Sequence, residues 1–147
     1  MTDISKKLRD DPFWQRVSKL VEQMYGKVDQ LIVDHPNEEW STAVKLRSSV
    51  IDSLFYVSQV VGSMNNDGNK FDLNSARRSL FSMQSMYIFI TKQKFLELEP
   101  EIIVEIDQII VEIDKMIDES ILEYEKNQKK DLEPWLEKYR LWQKMQD

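Results

Sequence analysis

The chain has no cysteine, so it forms no disulfide and offers no thiolate as nucleophile or metal ligand. It has only 3 glycines and 4 prolines, too few turn-formers for an all-β fold. No apolar run approaches the roughly 18 residues of a membrane span. The segment Met1–Asp10 lacks the apolar stretch of a signal peptide. A single histidine, His35, sits beside Pro36. Di-iron carboxylate bundles need a Glu-x-x-His motif on two helices, and the chain contains none. His35 is expected in an exposed turn, with no serine–histidine relay and no arginine spaced for a helical Arg–His ribonuclease. A glycine-rich phosphate loop is also missing. These absences predict a protein with no catalytic residues, no metal and no cofactor, not an enzyme, soluble and cytoplasmic.

What the sequence does contain is helical periodicity. At 147 residues, with 41% hydrophobic and 31% charged residues, it suits one domain with a solvated exterior. Residues 103–114 state the unit Ile-Val-Glu-Ile-Asp twice, seven residues apart. Such a repeat returns the same chemistry to one helical face every two turns. It predicts a seam of Ile103, Ile106, Ile110 and Ile113, with Glu105, Asp107, Glu112 and Asp114 outside. Three more segments share the rhythm. Asp11-Pro12 is expected to open a first helix as N-cap and first helical residue. Its stripe runs from Phe13 and Trp14 to Leu31 and Ile32, and it stops near Pro36. A second helix is expected from about 37–40 to Gly62, with Trp40, Ala43, Val44, Val50, Leu54, Val57 and Val61 inward. A loop over 64–70 follows. A third is expected from Asp72 or Asn74 to about Leu96, through Leu73, Ala76, Leu80, Met83, Tyr87 and Ile90. The fourth should run from Pro100 to about Lys126. Residues 127–130 are expected to end it, and Asp131-Leu-Glu-Pro134 to start a short separate helix. The expected fold is an all-α, antiparallel up-down-up-down four-helix bundle over 11–126. A C-terminal amphipathic extension over 127–147 belongs to the same single domain.

Two features point outward. From Glu97 to Glu125 eleven acidic residues face one lysine, a net −10, which leaves +4 for the rest of a chain of −6. This is either a solvated face balanced by neighbouring helices or a docking surface for a basic partner. Trp135, Tyr139 and Trp142 recur at i, i+4 and i+7 and form an aromatic stripe. Such a stripe either folds back on its own bundle or anchors a protein partner. Candidate contacts to nucleic acid or a partner are Arg16, Lys45, Arg47, Arg77 and Arg78. The acidic sequence pI of 4.9 weighs against phosphate binding. Arg47 interrupts the second seam, which predicts either a packed arginine paired with a carboxylate on a facing helix or a residue lining a groove or a central pore.

Phe13-Trp14-Gln15-Arg16-Val17, Val44-Lys45-Leu46-Arg47-Ser48-Ser49-Val50, the stretch Ala76–Tyr87 and the Leu98-Glu99-Pro100 break together resemble the bacterial four-helix bundle protein family. That family includes proteins encoded in intervening sequences of ribosomal RNA genes. It also includes the accessory variability determinant of diversity-generating retroelements. The resemblance covers about residues 13–125. It implies a homo-oligomer, commonly a pentameric barrel, and a non-enzymatic accessory role. For the retroelement members that role is binding a reverse transcriptase and nucleic acid through basic surface, which Lys45 and Arg47 would contribute here. The family's common Asn-Ile-Ala-Glu-Gly ending of the second helix is replaced by Val57-Ser-Gln-Val-Val-Gly62. The leading expectation is therefore an accessory or scaffold protein that binds a protein partner and self-assembles. The alternative is an RNA- or DNA-binding factor acting through basic faces.

Overall fold

A computed structural model describes residues 3–36, 41–62 and 69–146. Trp40 and most of the expected 64–70 loop lie outside the described residues. The described chain is all-helical, with α1 over Asp3–Asp10, α2 over Pro12–Asp34, α3 over Ser41–Gly62, α4 over Asn69–Lys92 and α5 over Pro100–Gln146. α3 packs between α2 and α4, α5 lies against α4 and α2, and α1 lies against α2 and α3. No helix among the described residues is long and apolar enough to cross a membrane.

α2 starts where its cap residues dictate. Asp11 is extended, its carboxylate accepts the Trp14 backbone N–H at 2.8 Å, and Pro12 follows. One of the donors a helix start leaves unpaired is thus satisfied, while proline has no N–H to lose. Val17, Leu20, Val21, Met24, Val28 and Leu31 then form the buried stripe. α1 is an element the sequence pattern did not reveal. It is one short charged helix with Leu8 partly buried against the core, too brief for a periodicity to stand out.

The core comes from one face each of α2, α3, α4 and α5. The six residues expected inward on α4 are all buried. The α3 and α5 seams sit slightly rotated from expectation. On α3, Leu46 is fully buried while Val44 is 58% exposed. On α5 the buried line is Ile102, Ile106, Ile109 and Ile113, and Ile103 and Ile110 pack at its margin. Adjacent apolar residues lie about 100° apart on a helix. Contact with two neighbouring helices, not the repeat itself, selects which of each pair is covered.

The boundaries differ at three places. α4 begins at Asn69, ahead of Asp72 and Asn74, because no glycine or proline interrupts the sequence from there to Lys92. It ends at Lys92 and not near Leu96, since Lys94 takes a left-handed φ of 62°. A left-handed side-chain-bearing residue costs about 1–2 kcal/mol. Part of a glycine's gain there is lost to the freer unfolded chain. Lys94→Gly is therefore expected to raise stability by up to about 1 kcal/mol, read as a higher urea midpoint. A fall in the midpoint would refute the strain argument.

The third difference matters most for function. The expected fourth helix and C-terminal helix are one 47-residue helix that passes through Pro134. Asp131-Leu-Glu-Pro reads locally as a helix start. It also reads as helix interior when the residues before it are strong helix formers, and Glu125–Lys130 contains no glycine or proline. Pro134 removes the N–H that would bond the Lys130 carbonyl, but this stretch is fully exposed, so water can take that carbonyl.

Candidate functional site

Part of the acidic face of α5 is neutralised from within. The Arg16 guanidinium reaches it from the first turns of α2. Its Nε donates to Glu105 Oε1 at 2.5 Å and its Nη1 to Glu112 Oε2 at 2.9 Å. Nη2 donates to Glu105 Oε2 at 3.3 Å and to Gln108 Oε1 at 3.0 Å. Only a planar fork with five N–H groups can span one carboxylate bidentately and a second two turns away. The hydrogen bond that Arg16 donates to Glu105, with the charges of Glu105 and Glu112, raises the Arg16 pKa above its ordinary value against the opposing effect of burial. Folding therefore favours the protonated form. That contribution is complete below the unfolded arginine pKa and is lost only as pH rises through the raised value, so this group adds no pH dependence near neutrality.

Two of the other candidate cations are similarly engaged. Arg47 pairs with Asp29 of α2 and lies 5.3 Å from the Tyr25 ring centroid, which matches the expected packed arginine. Arg77 Nε donates to Asp114 Oδ1 at 2.6 Å. Gln84 Nε2 donates to Asp107 Oδ1 at 2.6 Å. Lys27 pairs with Glu99. Arg16, Arg47 and Arg77 are each drawn to a different helix pair, while Lys45 and Arg78 are exposed on α3 and α4. Arg16→Ala would leave Glu105 and Glu112 without their shared counterion. Because this network is one-third exposed, a loss of about 1 kcal/mol is expected, shrinking as salt is added. A denaturation series at low and high ionic strength reads it, and a loss that salt leaves unchanged would contradict the account.

No group of metal-ligating side chains occurs among the described residues. His35 is half-buried, not exposed. Its backbone N–H bonds the Leu31 carbonyl at 3.1 Å, and its ring stands edge-on to Phe95 at 5.5 Å. It closes α2 against the α4–α5 connection. The two clearest surface depressions are open and flank Arg16, one lined by Asp107, Gln108, Val111, Glu112 and Lys115 and the other by Lys19, Leu20, Gln23, Glu101, Ile102 and Glu105.

The aromatic stripe is different. Every residue from Leu122 to Gln146 is exposed, a rod of roughly 37 Å at 1.5 Å per residue. The stripe does not fold back on the bundle. Trp135, Tyr139 and Trp142 are exposed by 70%, 55% and 54%. Tyr139 and Trp142 stack at 6.0 Å between centroids, and Lys138 Nζ lies 5.5 Å from the Trp135 centroid. These local contacts arrange the rings along the helix without covering them. The stripe also lines up with the margin of the bundle's own seam, where Ile117 is partly buried. Trp135 falls 18 residues, five turns, after Ile117 and hence on the same line. Between them come Ile121, Tyr124, Gln128 and Leu132, so one polar position interrupts the apolar line. Gln128 Nε2 donates to Tyr124 Oη at 2.7 Å. The margin of the face that packs α5 against the core thus runs on past the helices that cover it, whereas the fully buried line leads by the same 18-residue step from Ile113 to Asp131 and from Ile109 to Asn127. The sequence signals the stripe; its exposure follows from α5 not breaking at 127–130.

Comparison with protein-family models, curated proteins and solved structures returned no match.

Proposed function

We propose that this protein is a non-enzymatic accessory or scaffold protein that binds a protein partner through the aromatic face of the α5 extension. The carrying observation is a 25-residue helical projection whose large apolar side chains are uncovered by the other described residues. Soluble proteins seldom expose a contiguous apolar stripe of this size without a partner for it, and tryptophan and tyrosine are the residues most often found as interface anchors.

The supporting bundle is proposed to be antiparallel, up-down-up-down. Contacts between neighbouring helices run in opposite order along their chains. Early Arg16 meets late Glu112 while later Lys27 meets earlier Glu99. Likewise Arg77 meets Asp114 and Gln84 meets Asp107. Trp14 Nε1 at the start of α2 donates to Ser58 Oγ near the end of α3 at 2.8 Å. An accessory role beside a reverse transcriptase, as the family resemblance implies, is one form of this function.

Tagged protein expressed in its native host tests the proposal. Wild type should retain a protein that a Trp135→Ser/Tyr139→Ser/Trp142→Ser variant loses, with little sensitivity to salt. Recovery of nuclease-sensitive material that dissociates steeply with salt would favour the nucleic-acid reading, for which Lys138, Arg140 and Lys144 beside the rings are the relevant charges. Equal recovery by both proteins would overturn the stripe as the working surface.

A further inference from the structure

We infer that the occupant of the α5 aromatic face is a second copy of the chain, laid on it through its own α5 extension in antiparallel orientation. This rests on the scaffold reading above and specifies its partner.

Charge carries the orientation. Residues 118–125 hold four acidic side chains and no basic one, while 138–146 hold three basic side chains and no acidic one. The segment between, 126–137, holds three of each. Two extensions side by side in parallel would set acidic beside acidic and basic beside basic. Antiparallel pairing brings the end of the acidic third of each copy beside the end of the basic third of the other, Glu123 level with Lys144 and Glu125 level with Trp142 in the register below, twice by symmetry.

Shape agrees with charge. Leu132, Trp135, Tyr139 and Trp142 advance by three, four and three residues, the spacing of a two-helix seam. A register with Leu132 opposite Trp135 of the second copy also sets Gln128 opposite Tyr139. It brings Asp131 alongside Lys138 at the seam's edge. The exposed fractions of the three rings and of Leu132 and Leu136 beside them amount to about 500 Å² per copy, taking roughly 200 Å² for a whole aromatic side chain. Two copies together bury about 1,000 Å², the lower bound for a specific interface.

Helix energetics need such a cover. Isolated helices are marginal in water, and this one carries an interior proline. Nothing else in the described chain packs on residues 122–146, so the second helix supplies the missing tertiary contact.

The test combines mass with cross-linking, which is clean because the chain lacks cysteine. Light scattering after size exclusion should give twice 17.6 kDa. Trp135→Ala should weaken the dimer about 30-fold or more. An oxidised mixture of Asp131→Cys and Lys138→Cys chains should form mainly the mixed disulfide, and Met145→Cys should not pair with itself. Self-pairing of Met145→Cys would overturn the orientation. A five-protomer mass that Trp135→Ala leaves intact would overturn the inference in favour of a ring built elsewhere. An extended monomer by small-angle scattering would overturn self-recognition alone and leave the scaffold reading standing. The same monomer shifting on single-stranded RNA or sedimenting with anionic vesicles would give the face to that ligand. A compact monomer with the rings folded back would overturn both readings.

Discussion

Tyr87→Ala is expected to lower the unfolding free energy by about 4 kcal/mol or more, the largest loss from any single truncation considered. Tyr87 is the largest fully buried side chain in the core. Emptying such a site typically costs about 3–5 kcal/mol in lost transfer energy and residual cavity. The hydroxyl adds a second contribution. It accepts the Glu99 backbone N–H at 3.0 Å and reaches the Glu97 carbonyl at 3.3 Å, fixing the approach to Pro100 from beneath. Tyr87→Phe keeps the ring and removes only those bonds, for an expected loss of about 1–2 kcal/mol. Urea unfolding of the three proteins reads both values. If phenylalanine were as costly as alanine, the ring's packing would not be what holds this site. If phenylalanine were neutral, the hydroxyl would not be clamping the connection. Small domains are stable by only about 5–15 kcal/mol, so the alanine variant should be close to unfolding at physiological temperature.

Trp135→Ser/Tyr139→Ser/Trp142→Ser should show the opposite signature. Bundle stability, measured at concentrations where wild type is monomeric, should change by no more than about 0.5 kcal/mol per site, the usual range for surface substitutions. Association should fall by a hundredfold or more, because interface tryptophans and tyrosines carry a disproportionate share of binding energy. A large loss of monomer stability would mean the rings pack within their own chain. Unchanged association would mean the protein assembles through another face, such as the exposed Val44, Ile51 and Phe55 of α3.

Much of the fold is legible in the sequence where a helix has one unambiguous stripe. On α2 and α4 the steps of three and four identify the buried residues, and Asp11-Pro12 fixes the start of α2 by local chemistry alone. Legibility fails where neighbours are equally apolar. Ile102 and Ile103, or Ile109 and Ile110, satisfy a periodicity equally well, and only the position of α2 and α4 decides between them. It fails again at 127–134, where a motif that starts helices lies within one. That single boundary controls the functional reading, since a break would let the aromatic stripe turn back and continuity carries it away from the bundle. Pairing of Arg47 with a carboxylate is predictable, because an arginine beside a buried seam needs a counterion. Capture of Arg16 and Arg77 by α5 is not, because it depends on which helices become neighbours.

Hydrogen exchange along α5, measured at two protein concentrations, tests the central claim most directly. Strong protection over 102–113 is expected at both concentrations. Protection over 122–146 is expected only when the protein is concentrated enough to associate. Strong protection of 122–146 in a dilute monomer would contradict that claim, because the stripe would then be covered by its own chain.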